Sequence, residues 1–158
     1  MRILVCVKRV PDTTTQIRVK ADKTGIDTGD INWVINPYDE LAIEEAIRIK
    51  EKSGAETVGI SVDPDGNEAI LRKALAIGLD RAVLIHGGTN FDPYVVAKLL
   101  ATVIKEKLSP FDLILTGKQA IDDDNYQVPS ILAHLLGIPR ANVVWKLEIK
   151  KASAVARR

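Results

Sequence analysis

Leu113-Ile114-Leu115-Thr116-Gly117-Lys118-Gln119-Ala120-Ile121-Asp122-Asp123-Asp124-Asn125 holds the fold in miniature. Its short apolar run is continuous rather than alternating, which suits a strand covered on both faces. Gly117 then permits a sharp exit or a close backbone approach to a ligand. Polar residues run on from Asp122 to Gln127, after which Val128, Ile131, Leu132 and Leu135 recur at helical spacing. The helix stops at Gly137, with Pro139 beyond it. Pro129 is tolerated only in a first turn, so the helix starts at about Asn125 to Gln127.

The same strand-loop-helix unit recurs on the N-terminal side. Further strands are expected at residues 3–7, 58–62, 82–85 and 143–147. The first helix follows Asn36-Pro37, a good N-cap before a residue suited to the first helical position, and Gly54 follows its end. Ala42, Ala46 and Ile49 form its inner face, with Ile43 and Ile47 beside them. A second helix, starting near Pro64-Asp65, should bury Ile70, Ala74 and Ile77, flanked by Leu71 and Leu75, and end at a left-handed Gly78. A third begins at Asp92-Pro93 and carries Val96, Leu99, Leu100 and Val103. Ile17-Arg18-Val19 and residues 31–35 are β-like and separated by turns, so a β-hairpin excursion is expected between the first strand and its helix. The expected fold class is α/β: a doubly wound, mostly parallel sheet with helices on both faces, in one domain spanning residues 1–158.

Bulk properties narrow the function. With 158 residues, 46% of them hydrophobic, the chain can bury one ordinary core. A formal net charge of +1 gives no global field for nucleic acid or an anionic membrane. Cys6 is the only cysteine, so an intrachain disulfide is impossible. No apolar run approaches the ~18 residues of a membrane span, and the N-terminus lacks a signal-peptide pattern. A cytoplasmic or organelle-matrix location is expected.

In open α/β sheets ligands bind beyond the carboxyl ends of the strands, where strand order reverses. The segments to inspect are Lys8-Arg9-Val10-Pro11-Asp12, Asp63-Pro64-Asp65-Gly66, and the run from Thr116 through three aspartates. The last is the strongest signal. Free N–H groups at the following helix N-terminus suit a phosphate. Three carboxylates would repel it, so Asp122, Asp123 and Asp124 are expected to cap the helix and accept bonds from ribose hydroxyls or an adenine amine. On spacing alone, a nucleotide rim and a merely solvated helix cap stand level. An Mg²⁺ site is weaker, because carboxylates adjacent in sequence need not converge. Lys8 and Arg9 read as solvated, or as partners for a phosphate or carboxylate. Cys6 reads as a small core residue, His86 and His134 as structural, and Trp33 and Trp145 as packing or interface residues.

Several patterns are missing. Gly-x-Gly-x-x-Gly does not follow the first strand, and no P-loop is present. A Gly-x-Ser-x-Gly elbow and a Cys/His nucleophile pair are also absent. This favours binding over turnover.

Four segments, in order, resemble the electron transfer flavoprotein beta-subunit family. They are Val5-Cys6-Val7-Lys8-Arg9-Val10-Pro11-Asp12, Ile35-Asn36-Pro37-Tyr38-Asp39-Glu40-Leu41-Ala42-Ile43-Glu44-Glu45-Ala46, Arg72-Lys73-Ala74-Leu75-Ala76-Ile77-Gly78-Leu79-Asp80-Arg81-Ala82, and Gly117-Lys118-Gln119-Ala120-Ile121-Asp122-Asp123-Asp124. The resemblance implies an adenine-nucleotide-binding Rossmann-like fold, related to universal-stress and ATP-pyrophosphatase-type folds. It implies a heterodimer with an alpha subunit that holds most of the FAD. Electrons would pass from dehydrogenases, such as those of fatty acid oxidation acting on acyl-CoA, to a quinone oxidoreductase or other acceptor. The beta subunit would bind AMP structurally, in prokaryotic cytoplasm or the mitochondrial matrix. Carried over by position, the site comprises Cys6 (through its backbone), Asn36, Pro37, Tyr38, Asp39, Val62, Gly117, Gln119, Ala120, Ile121, Asp122, Asp123, Asp124, Asn125, Tyr126, Gln127 and Val128.

The chain departs from the family pattern in two ways. AMP-binding members follow the aspartates with a Cys-Asn-Gln-Thr-like run, where this chain has Asn125-Tyr126-Gln127-Val128. Bifurcating members, which bind a second FAD there, tend toward Gly-Asp-Thr-Ala-Gln-Val. The aspartates favour AMP, with FAD in its place as the alternative. The chain also reads as stopping inside the strand begun by Ala152-Ser153-Ala154-Val155, before the family's recognition loop and C-terminal arm. Two other classes compete. A stand-alone universal-stress-like ATP/AMP-binding module would need a Gly-rich loop after the fourth strand. An ATP-dependent ligase or sulfurtransferase-like enzyme would need a Ser-Gly-Gly-type loop after the first.

Overall fold

A computed structural model describes residues 1–63, 68–88, 91–150 and 153–158. Continuous apolar runs become strands of the main sheet because helices cover both of its faces. Four of them, β1 (Arg2–Cys6), β4 (Glu56–Asp63), β5 (Arg81–His86) and β6 (Leu113–Leu115), form one parallel sheet in the order β5-β4-β1-β6. β1 is central and pairs Leu4 with Val58 on one side and with Ile114 on the other.

Side-chain alternation in β1 builds the two layers. Ile3, Val5 and Val7 face α1 (Pro37–Ser53) and α2 (Glu68–Ile77), packing with Ile43, Ala46, Ile70 and Ala74. Leu4 faces the opposite way, with Val58 and Ile60, toward α3 (Pro93–Val103) and α4 (Val128–Leu136), where Leu100 and Leu132 meet it. The expected doubly wound α/β fold is therefore present. The chain steps outward from β1 to β4 to β5, then returns to place β6 on the other side of β1. That reversal puts the switch point between the ends of β1 and β6.

Several local expectations change. The hairpin excursion exists, but its paired strands are β2 (Arg9–Pro11) and β3 (Trp33–Ile35). Ile17-Arg18-Val19 forms no strand, and only Val19 bridges, to Ile26. Both residues are exposed, so no core rewards a longer ladder there. The α3 stripe is rotated by one position. Ala97, Leu100 and Ala101 are buried and Ile104 and Leu108 extend the row through a π-helical turn, while Val96, Leu99 and Val103 flank it half-buried. On α2, Ile70, Leu71 and Ala74 are buried but Leu75 and Ile77 are exposed. The chain turns at Gly78, whose φ of 141° is positive but not left-handed helical, and Leu79 takes the buried place instead. The expected α2 start at Pro64-Asp65 lies outside the described residues.

The expected strand at residues 143–147 shifts to β7 (Lys146–Lys150), which pairs only with the antiparallel β8 (Ser153–Arg157), outside the main sheet. Val143 has φ 53°, which a β-branched residue cannot hold within a strand. Trp145 is 70% exposed, so it does not pack in the core.

Candidate functional site

The switch point is a cleft of about 190 Å³. Its floor is strand-end residues Cys6, Val7, Ile60, Ser61 and Val62. One wall is the loop after β6, with Thr116, Gly117, Gln119, Ala120, Asp123, Asn125, Tyr126 and Gln127. The other is apolar, from Phe91, Pro93, Val96 and Leu100 of α3 and its approach, with Val128 and Pro129 of α4.

Two polar side chains at the start of α1 hold the loop in place. Asn36, only 1% exposed, occupies the N-cap position of α1 as expected, but its side chain makes no cap hydrogen bond. Its Nδ2 donates to the Gln119 carbonyl at 2.8 Å, and its Oδ1 accepts the Ile121 N–H at 3.2 Å. The capping expectation is thus wrong for this side chain, because the neighbouring loop has a donor and an acceptor that need a buried partner more. Asp39 reaches the other way. Its carboxylate accepts the Lys8 N–H at 2.8 Å and the Gly117 N–H at 3.0 Å, joining the ends of β1 and β6. Burial pushes its pKa up to about 6, against the hydrogen bonds from the backbone of Lys8, from Asn36 and from the backbone of Gly117.

Gly117 does allow a close backbone approach, but to α1 rather than to a ligand. A Cβ there would collide with Asp39 Oδ1 and sit 2.9 Å from Asp39 N. Its φ is not in the left-handed range, so close approach is the whole reason for glycine.

The aspartates also differ from expectation. None of them caps α4, whose N-cap is Gln127 without a side-chain cap bond. Asp122 and Asp123 instead bind Lys8 Nζ at 2.7 and 3.0 Å, and Asp124 accepts from Gln119 Nε2. Asp123 also accepts from the N–H and Nδ2 of Asn125. Lys8 is therefore not simply solvated. Burial works against its charge, but hydrogen bonding and attraction from Asp122 and then Asp123 outweigh it and raise its pKa. Arg9 likewise has partners: Asp63 at 3.1 Å and the Trp33 ring face at 4.0 Å. The loop bends through Asp124 and Tyr126, both left-handed with φ of 48° and 60°.

Twelve of the expected site residues thus line the cleft: Cys6, Asn36, Asp39, Val62, Gly117, Gln119, Ala120, Asp123, Asn125, Tyr126, Gln127 and Val128. Pro37, Tyr38, Ile121, Asp122 and Asp124 are not among the residues that line it. Cys6 is half-buried at the floor, and burial, with the Asp39 carboxylate second, pushes its thiol up to about 12. It stays protonated and unreactive at neutral pH. Among the described residues no three His, Cys, Asp or Glu side chains are grouped to hold a metal ion.

Sequence reasoning missed the α3 wall. Gly87-Gly88, directly after β5, was the available signal. A Cβ on either glycine would come within 3.0 Å of the Phe91 ring, so the pair clears space for that aromatic beside the cleft.

The family model for the electron transfer flavoprotein domain matches residues 24–158. Curated relatives include electron transfer flavoprotein subunit beta of Dictyostelium discoideum, 44% identical over 97% of this chain and 61% of the relative. The subunit beta of Bradyrhizobium diazoefficiens is 42% identical over 95% and 60%. The mitochondrial subunit beta of Arabidopsis thaliana is 43% identical over 99% and 62%. The chain spans about three fifths of the length of these relatives.

Proposed function

The chain belongs to the electron transfer flavoprotein family, among relatives of its beta subunit, and on that premise we propose that it holds AMP as the nucleotide-binding domain of an alpha/beta electron carrier. One observation carries this reading. The cleft lies at the reversal of strand order and is built by Asn36 and Asp39, which spend their side chains on fixing its polar wall.

The residues fit an adenine nucleotide. An apolar wall faces a polar one, so a base and a ribose can each find a matching surface. Gln127, Val128 and Pro129 bring the α4 N-terminus to the rim, where the helix dipole favours a phosphate. Lys8 offsets the charge of Asp122 and Asp123, which removes much of the repulsion that three carboxylates would impose. The side chain of Gln127 supplies a further polar group at the same rim.

In this reading the partner is the alpha subunit, which holds the redox FAD. FAD supplies the electron chemistry, and this chain supplies a rigid nucleotide-bound scaffold beside it. Dehydrogenases donate and a quinone oxidoreductase or other acceptor receives. The chain acts as a carrier component rather than a catalyst, in the mitochondrial matrix or a prokaryotic cytoplasm. Among the described residues no helix is long and apolar enough to cross a membrane.

The test is to purify the protein with its copurifying partner, denature the complex and identify released nucleotides by mass. One AMP per chain is the expected result. A second FAD and no AMP would assign the site to FAD, and no adenine nucleotide at all would overturn the proposal.

A further inference from the structure

We infer that the Phe91 ring is the stacking surface for the nucleotide base, and that it makes the cleft select a base-bearing ligand. This rests on the nucleotide reading above and adds a residue that the sequence did not point to.

Three observations converge on Phe91. First, the cleft is divided by polarity. Loop side chains such as Gln119, Asp123 and Asn125 form one wall, and Phe91, Pro93 and Val96 the other. A planar base has apolar faces and a polar edge, so only the second wall suits its faces. Second, Phe91 is the only aromatic side chain on that wall among the described residues, and it is 41% exposed beside the cleft while Leu100 behind it is 3% exposed. An aromatic ring with this much exposure beside a cleft can present part of its surface to a ligand. Third, the ring has a prepared seat. Gly87 and Gly88 lie beneath it, and a Cβ on Gly87 would meet both Phe91 and Val62 at 2.9 and 3.0 Å. The ring thus lies against the backbone directly after β5, where a side chain on either glycine would displace it.

Tyr126 is the other aromatic residue lining the cleft, but it belongs to the polar wall and sits on a left-handed backbone. The base therefore falls to the Phe91 side, and the sugar and phosphate to the side of Lys8 and the polar loop after β6. Stacking of a base on an aromatic side chain changes affinity by about tenfold or more.

The test uses the protein with its copurifying partner after bound nucleotide has been removed. AMP affinity is measured by calorimetry for wild type, Phe91→Leu and Phe91→Trp, with the loss of base absorbance at saturating AMP recorded for wild type and the Leu variant. The expected result is an AMP Kd raised about tenfold in Phe91→Leu, little changed in Phe91→Trp, and an absorbance change that disappears with the ring. If the Leu variant melts early, the Trp variant still decides: retained affinity supports stacking, and lost affinity overturns it. Equal affinity in wild type and Phe91→Leu, or an absorbance change that survives in it, overturns the inference and leaves the nucleotide reading intact. Wild type that binds no AMP or other adenine nucleotide removes the nucleotide reading itself.

Discussion

Asp39 Oδ1 accepts the backbone N–H of Gly117 at 3.0 Å, tying the start of α1 to the loop after β6 across 78 positions of sequence. The same carboxylate accepts the N–H of Lys8. One side chain thereby sets the spacing of the two strand ends that bound the cleft.

Gly117→Ala should be destabilising. The added methyl has no space, because Asp39 Oδ1 and the backbone at Tyr38 and Asp39 already occupy it. Overpacking of this kind costs about 1–3 kcal/mol. Urea denaturation should show the loss, and AMP affinity should fall with it because the polar wall is displaced.

Asp39→Asn should both weaken the fold and flatten part of its pH dependence. The amide replaces one acceptor with a donor facing a backbone N–H, a cost of about 1–3 kcal/mol. The native pKa of about 6 lies above the ordinary aspartate value of 3.8. Stability linked to this group is therefore fully present below about pH 4 and is lost as pH rises through 6. Denaturation curves at pH 4, 5, 6 and 7 should show the advantage of wild type over the variant shrinking with rising pH. A constant difference would show that Asp39 does not titrate in this window.

Asn36→Ser separates two roles. Serine is a good N-cap but is too short to reach Gln119 and Ile121. Because the Asn36 side chain bridges that loop and makes no cap bond, Ser should be nearly as damaging as Ala. Each buried group left unpaired costs about 1–3 kcal/mol. Thermal melts of both variants would reveal a capping role if Ser rescued stability.

Lys8→Met should affect binding more than stability. Its ion pairs with Asp122 and Asp123 are half-exposed, so the stability change should stay within about 1 kcal/mol. Without the ammonium the two carboxylates face an incoming phosphate unneutralised. AMP affinity should drop and its salt dependence should change sign or vanish, as read by calorimetry at two ionic strengths.

The periodic segments were legible because they report local physics. Asp92 caps α3 by accepting the Val95 N–H, Gly54 and Gly137 end their helices in left-handed conformations, and Leu113–Leu115 is a strand as expected, half-buried. Much of the cleft lining was legible, at Asn36 and Asp39 and along the loop from Gly117 to Val128, because those segments follow strands or open helices. The purposes of those residues were not legible. Asn36 read as a cap and the aspartates as caps, since each has a local partner within reach in sequence. In the fold Asn36 turns to Gln119 and Ile121 and Asp122 and Asp123 to Lys8, all distant in sequence, while Asp124 pairs within its own loop, with Gln119.

The sequence by itself determined the alternation of strands and helices, the segments that reach the strand ends, and the family. Those depend on spacing along the chain. Strand order, the Asp39 link between β1 and β6, the pairing of Lys8 with two aspartates, and the seating of Phe91 on Gly87-Gly88 were decided only by tertiary structure. They depend on which distant segments the packed sheet brings together, and burial then makes every donor and acceptor there find a partner.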